Sequence, residues 1–351
     1  MNKKYHATGI IVEYNPLHNG HIYHIGKSKE ITQCDVLIAV MSPHFVQRGE
    51  PAIIDKWART QLALEQGVDI VIELPTHITL QSAEVFAKGA LKLLSMVKVD
   101  SIVYGSESLD KPLLNEIDKS LIEQGYSYAF AKNKTSAGPN QILGAYYENF
   151  AHKYNIDTHI VKRTQDYHDL SIDKEFASAS AIRNAYLHQL KYQNTTPVNL
   201  DLYSTYHIKD AYPFIRYQIL SQKEKLKEYL LVDEGIENLF YKLAKEHETY
   251  DGFLNGAISR RYTRSRIQRT LCHILLETPR ILPEISAVRI LGMSQVGRKY
   301  LHTIKHDTNL VTSFKDYPFK DLEEKSTALY VLLNPKENPL LKREMGPPII
   351  I

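Results

Sequence analysis

The side chains best suited to chemistry gather in one short stretch, Gly9 to His24, which reads Gly-Ile-Ile-Val-Glu-Tyr-Asn-Pro-Leu-His-Asn-Gly-His-Ile-Tyr-His. His18 and His21 stand close together, separated by Asn19 and Gly20. Imidazole changes its protonation and hydrogen-bonding role near neutral pH, so such a pair can serve several chemistries. The two could ligate zinc, which then needs a third ligand, and no Cys or His–Glu cluster lies nearby in sequence. They could be structural histidines satisfied by their neighbours. They could also donate N–H groups to a phosphate under attack, where charge builds on the equatorial oxygens. Gly20 would leave room for a phosphate or nucleoside to approach the backbone.

The elements that must position this pair are legible around it. The apolar run 9–12 has the length of a buried parallel strand. Asn15-Pro16 ends it, because proline cannot donate to a strand ladder and pushes its predecessor out of the α region. A helix is expected from Gly20. The histidines therefore fall between a strand's C-terminal end and a helix N-terminus, where open α/β sheets bind ligands and free N–H groups favour phosphate. Strand-like runs recur at 8–12, 35–41, 69–74, 101–105 and 157–161, with helical periods at 20–30, 55–66, 82–96 and 113–123 between them. Asp55 is a capping residue for the second of these helices, and Gly67 closes it. The alternation predicts an α/β fold, a doubly wound, Rossmann-like parallel sheet. The loops 15–21, 42–51, 73–75 and 105–107 then share one sheet edge and can converge on one ligand.

Residues 131–140 are small, polar and basic and read as a flexible loop; a helix is expected over 141–150. Ser178 to Arg183 opens another helix, where serine can cap free N–H groups or bind phosphate. Residues 191–199 have linker composition, which puts a boundary near 200. An α/β domain over 1–200 is then followed by a mainly helical, basic domain over 201–351, with helices at 211–230 and 236–246. Arg260, Arg261, Arg264, Arg266 and Arg269 crowd into ten residues, and no Asp or Glu occurs from 255 to 276. Arginines without local partners point to a polyanion such as RNA. A smaller basic spot lies at Arg298-Lys299. Two cysteines in 351 residues, Cys34 and Cys272, fit a reducing compartment. No run approaches the length of a membrane helix, so a cytoplasmic protein without a membrane partner is expected.

Taken together, the motifs are specific. Gly-x-x-x-Glu-Tyr-Asn-Pro-x-His-Asn-Gly-His, with Phe45–Pro51, Asp55-Lys56-Trp57, Val71–Pro75, Gly105-Ser106-Glu107, Pro139-Asn140, Tyr167-His168-Asp169, Ser178–Arg183 and the arginine run, resembles the HIGH-type nucleotidyltransferases. More narrowly it is similar to the bacterial tRNA(Met) cytidine acetate ligases. The resemblance implies a ligase that activates acetate with ATP as acetyl-AMP, without acetyl-CoA. The acetyl group then passes to N4 of the wobble cytidine of elongator tRNA(Met). It puts ATP along Ile11, Val12, Glu13, Tyr14, Asn15, Pro16, Leu17, His18, Asn19, Gly20, His21, Ile22, Tyr23 and His24, with further contacts at Gly105, Asn140 and Arg163. His18 and His21 take the catalytic positions, Ser178 and Arg183 the possible phosphate-binding ones. Mg²⁺ is expected on the triphosphate, and tRNA on Arg260, Arg261, Arg264, Arg266 and Arg269. The chain departs from the pattern at Asn15, where many other HIGH-type transferases carry Asp. It also departs at Ser42-Pro43-His44, where a small Ser-Gly-Asn sequence is usual. Two other readings share parts of this evidence: an adenylyltransferase acting on a small phosphate ester, and a non-catalytic RNA-binding protein.

Overall fold

All five apolar runs of the first half form strands: β1 (Ala7–Val12), β2 (Val36–Met41), β5 (Ile70–Glu73), β6 (Ser101–Ser106) and β7 (Asp157–Lys162). A short antiparallel hairpin of β3 (Phe45–Val46) and β4 (Glu50–Pro51) follows β2. The structure is a computed structural model, and it describes residues 5–114, 116–132, 138–163, 176–203, 206–333 and 339–351. Tyr167-His168-Asp169 and residues 133–137 of the expected 131–140 loop lie outside the described residues. The five strands pair in parallel in the order β5-β2-β1-β6-β7. The chain winds from β1 to one side, then returns to continue on the other. The switch point therefore lies between β1 and β6, and a crevice opens at their C-terminal ends.

Helices follow the strands where the capping residues predict. Asp55 accepts from the N–H groups of Trp57 and Ala58 and starts the Lys56–Glu65 helix. Ser82 caps Ala83–Met96 in the same way through Val85 N–H. The helix expected over 113–123 is confined to Lys119–Glu123, capped by Asp118. The one expected over 211–230 stops at Ser221 and continues as a 3₁₀ stretch, Lys223–Glu228.

The second half of the chain also contributes strands, which the periodicity did not announce. β8 (Val288–Met293) pairs antiparallel with β5, and β9 (Leu310–Val311) and β10 (Ile349–Ile350) pair parallel with β8. Every residue of β8 is buried, including Arg289, whose charge disguises the run as polar. One apolar cluster runs without a break from Ile10 and Leu37 of the sheet, through Trp57, to Tyr212, Phe240 and Leu271 of the later helices. The 191–199 segment is partly buried within it: Tyr192, Thr195, Thr196 and Val198 are all nearly inaccessible.

Candidate active site

His18 is the N-cap of the Asn19–Thr32 helix. Its Nδ1 accepts from Gly20 N–H at 3.1 Å, and His21 Nδ1 accepts from His18 N–H at 3.3 Å. The two rings stack with centroids 3.7 Å apart. This reciprocal capping fixes their tautomers. With each Nδ1 acting as an acceptor, a neutral imidazole must carry its proton on Nε2. The helix N-terminus thus presents two Nε2–H donors rather than two metal-ligating lone pairs. Gly20 has a sharper reason to be glycine than ligand access: a Cβ there would sit 2.9 Å from His18 Cε1. Tyr14, buried and at positive φ, packs edge-on to His21 at 5.0 Å.

His24, one turn further on, is different. Its Nε2 is buried without a partner, while the Val103 backbone hydrogen-bonds the ring. The residue lines the cavity. Burial pulls His18 down to about 3, helped by Arg163 and Arg183, and His24 down to about 4, helped by Arg163. His21 lies well below the ordinary imidazole range, through burial and then through His18. The histidines are therefore neutral at physiological pH.

The pair opens into a cavity of about 620 Å³ at the switch point. The sequence-predicted residues Ile11 to Asn15, Tyr23, Gly105, Asn140, Arg163, Ser178 and Arg183 all line it, together with both histidines, Gly20 and His24. Pro16, Leu17, Asn19 and Ile22 belong to the same turn without lining the cavity; Leu17 is in the core. Gly105 lies against Arg163, whose Nε is buried and unpartnered. Asn140 donates to Glu107 Oε1 at 2.6 Å. Ser178 caps the Ala179–Leu187 helix through Ala181 N–H, so the capping reading of that serine holds. Arg183 Nη1 donates to the Asn15 carbonyl at 2.6 Å. Asn15 itself is tied down, its Oδ1 accepting from Ile53 N–H at 2.7 Å. Phe176 meets Tyr23 edge-on at 6.2 Å and adds an aromatic wall near Arg163 that the sequence did not single out.

Two supports of the site were not read from sequence. Arg59 is fully buried and donates to the carbonyls of Glu13, Ser42, Pro43 and Ile54. It ties the loops after β1 and β2 to each other. Thr196 Oγ1 donates to the Leu17 carbonyl at 2.6 Å, and Asn19 N–H donates to Thr195 O at 3.0 Å. The segment of linker composition is thus a brace for the histidine turn. Neither partner pair is close in sequence, so no local pattern could reveal it. The unusual Ser42-Pro43-His44 is accommodated by burial. Ser42 Oγ reaches Glu13, and His44 stacks on Tyr330 at 4.4 Å.

The arginine run forms the turn before and the first part of the Arg264–Leu275 helix, and of its five arginines Arg269 lines the cavity. Thr263 and Ser265 line it as well, as do Gln47 and Arg48 of the hairpin. The hairpin is seated on this helix at Gly49, at positive φ. A Cβ there would lie 2.4 Å from Arg269 N, so only glycine permits the approach. Arg269 Nη1 donates to Gln47 O, and burial with Arg266 and Arg48 nearby brings Arg269 down to about 10. The arginines are not uniformly unpaired as the local sequence implied. Arg261 pairs with Glu234 at 3.1 Å, and Arg266 with Asp233 and Glu234, both from upstream of the Ile236–Glu246 helix. Arg260 and Arg264 are exposed. The smaller basic spot, Arg298-Lys299, lies on the Gln295–Ile304 helix beside Asp69 at the opposite edge of the sheet.

The depressed histidines have a measurable cost in acid. His44 and His273 are fully buried and His77 nearly so; burial lowers His77 to about 4 and His273 to about 3, with His44 also well below its usual range. In the unfolded chain each returns to about 6.5. Below that pH the unfolded state takes up protons that the folded state refuses, so stability is lost as pH falls from about 6.5 toward 4. Unfolding at pH 5.5 should take up roughly one proton for each of these three residues. Denaturant midpoints measured between pH 7 and 5.5 should therefore drop steadily; a midpoint independent of pH would contradict the burial of these rings.

A doubly wound parallel sheet, a switch-point cavity and two Nε2–H imidazoles at the first helix N-terminus define a nucleotidyltransferase of the HIGH type. A family model described as HIGH Nucleotidyl Transferase matches residues 5–344. The tRNA(Met) cytidine acetate ligase of Caldicellulosiruptor saccharolyticus is 35% identical, the alignment covering 97% of this chain and 92% of the relative. That of a Geobacillus species is 36% identical over 98% and 99%. Thermotoga maritima TmcAL bound with alpha-thio ATP superposes with a TM-score of 0.84 at 26% identity, covering 99% of both chains. Its apo form gives 0.85 at 27%. The chain belongs to the tRNA(Met) cytidine acetate ligases, a family of tRNA-modifying ligases built on the nucleotidyltransferase fold.

Proposed function

We propose that the chain binds ATP along the Ile11–His24 turn and activates acetate as acetyl-adenylate. An acetate oxygen attacks the α-phosphorus and pyrophosphate leaves. The N4 amine of the wobble cytidine of elongator tRNA(Met) then attacks the acetyl carbonyl, AMP leaves, and N4 loses a proton. The observation that carries this reading is the pair of fixed Nε2–H donors in a cavity that Ser265 and Arg269 of the arginine helix also line. His18 and His21 would hold charge developing on the α-phosphate; Arg163, Arg183 and the Ser178 helix start would offset repulsion between acetate and triphosphate.

Mg²⁺ would neutralise triphosphate charge. Among the described residues no three His, Cys, Asp or Glu side chains gather as a metal-ligand set, and Glu13 is engaged by Gln47 N–H. The ion is therefore proposed to arrive on the phosphates, as Mg²⁺ commonly does. Residues 201–351 are proposed to carry most of the tRNA contact, through Arg260 and Arg264 above all. Among the described residues no helix is long and apolar enough to cross a membrane.

Acetate-dependent exchange of pyrophosphate into ATP, measured without tRNA, tests the first half-reaction. Mass analysis should then find acetyl-AMP, and AMP once methionine tRNA is added. AMP transfer to a small phosphate ester without acetate-dependent exchange would favour an adenylyltransferase. Binding of tRNA without exchange would leave only an RNA-binding protein.

A further inference from the structure

Beside the cavity mouth stands an aromatic pair that no step of the proposed reaction uses. Tyr126 and Phe130 stack with ring centroids 4.7 Å apart and planes 17° from parallel. The Arg260 guanidinium lies over the Tyr126 ring at 5.4 Å, giving a column of cation and two aromatic rings. The column is held in place by backbone. Ser127 N–H donates to the Arg260 carbonyl at 3.2 Å, and Ser127 Oγ accepts from Phe130 N–H at 3.2 Å. Phe130 is 47% exposed, yet it also lines the cavity with Ser127.

A single exposed aromatic residue is ordinary on a protein surface. An aromatic stack that ends at an active-site mouth, backed by arginine, has the composition of a platform for unpaired nucleobases. The positive charge of Arg260 and the exposed Arg264 suits the phosphates on either side of such a base. We propose that Phe130 receives the base next to the target cytidine in the anticodon loop. Stacking there would hold the loop open while the cytidine enters the cavity. This rests on the tRNA ligase reading and adds the residue that positions the RNA. A methionine anticodon must pair with AUG, so the base following the wobble cytidine is adenine, and a purine offers the larger stacking face.

The test uses the full chain and a methionine anticodon stem-loop with 2-aminopurine in place of that adenine. Binding should quench the fluorescence in the unaltered protein. Phe130→Leu keeps an apolar side chain but removes the ring. It should lose the quench and raise KM for the stem-loop roughly five- to hundredfold, the range of one lost base–aromatic stack. The effect should fall on KM rather than kcat, and Phe130→Trp should restore both readouts. A thermal midpoint for each variant separates this from a folding defect. An unchanged quench and KM in Phe130→Leu would overturn the proposal, as would failure of Phe130→Trp to rescue them. The two readings fail separately. A quench that depends on Phe130 without any acetylation counts against the ligase reading alone. Acetylation with no quench in the unaltered protein counts against the platform alone.

Discussion

Replacing His18 with Asn should lower acetate-dependent pyrophosphate exchange by roughly 10²–10³-fold, the usual effect of deleting one preorganised donor to a developing oxyanion. The choice of Asn matters. Its Oδ1 lies near the position of imidazole Nδ1, so it can keep accepting from Gly20 N–H and preserve the helix cap. It has nothing at the Nε2 position. His18→Gln makes the converse exchange, placing an amide N–H near Nε2 and giving up the cap. That variant should retain more of the exchange rate but lose about 1 kcal/mol of stability, as N-cap deletions do. A fall in rate for Gln as deep as for Asn would mean that the ring acts through its position in the cap rather than through Nε2–H. His21 should behave like His18 in rate. Its removal also unstacks the neighbouring ring and frees the His18 N–H, so a stability loss should accompany it.

The nucleotide half of this site was legible because its signals are local. A short apolar run, a proline break, two histidines and a capping serine or aspartate each act within a few residues of themselves. β1, β2, β5, β6 and β7 were placed on that basis, and the cavity formed where their order reverses. What stayed hidden depends on contacts distant in sequence. Arg59 reads as one more polar residue on a helix, yet it is buried against four carbonyls. The segment around Thr196 has the composition of a linker, and only its bond to Leu17 makes it a brace. The arginine run lacks acidic neighbours in sequence, and Asp233 and Glu234 supply them in space. β8 was missed for the same reason: a strand with arginine in it looks half-exposed until the carboxylates that meet that arginine are known.

Those carboxylates make the second large effect. Lys56 pairs with Glu73 and Glu344, and Arg289 pairs with Glu73 at 2.7 Å and Glu344 at 2.6 Å. All four are essentially inaccessible to water. Two cations and two anions balance, and the cluster joins the Lys56–Glu65 helix, the end of β5, β8 and the Leu340–Glu344 helix. Burial alone would raise the Glu344 carboxyl, but Lys56 and Arg289 hold it below its usual range. Lys56→Met keeps the length of the side chain and removes its charge, leaving one cation for two buried carboxylates. Breaking a buried pair from one side costs about 3–5 kcal/mol. The variant should therefore unfold at a markedly lower denaturant concentration. Neutralising a partner should relieve much of the penalty, so Lys56→Met with Glu344→Gln should be more stable than Lys56→Met alone. That order would be reversed if the cluster stabilised the protein simply by the number of its ion pairs, because the double variant has fewer. At temperatures where Lys56→Met is still folded, exchange should proceed at close to the normal rate. The cluster fastens the C-terminal segment to the sheet and touches neither the histidines nor the cavity.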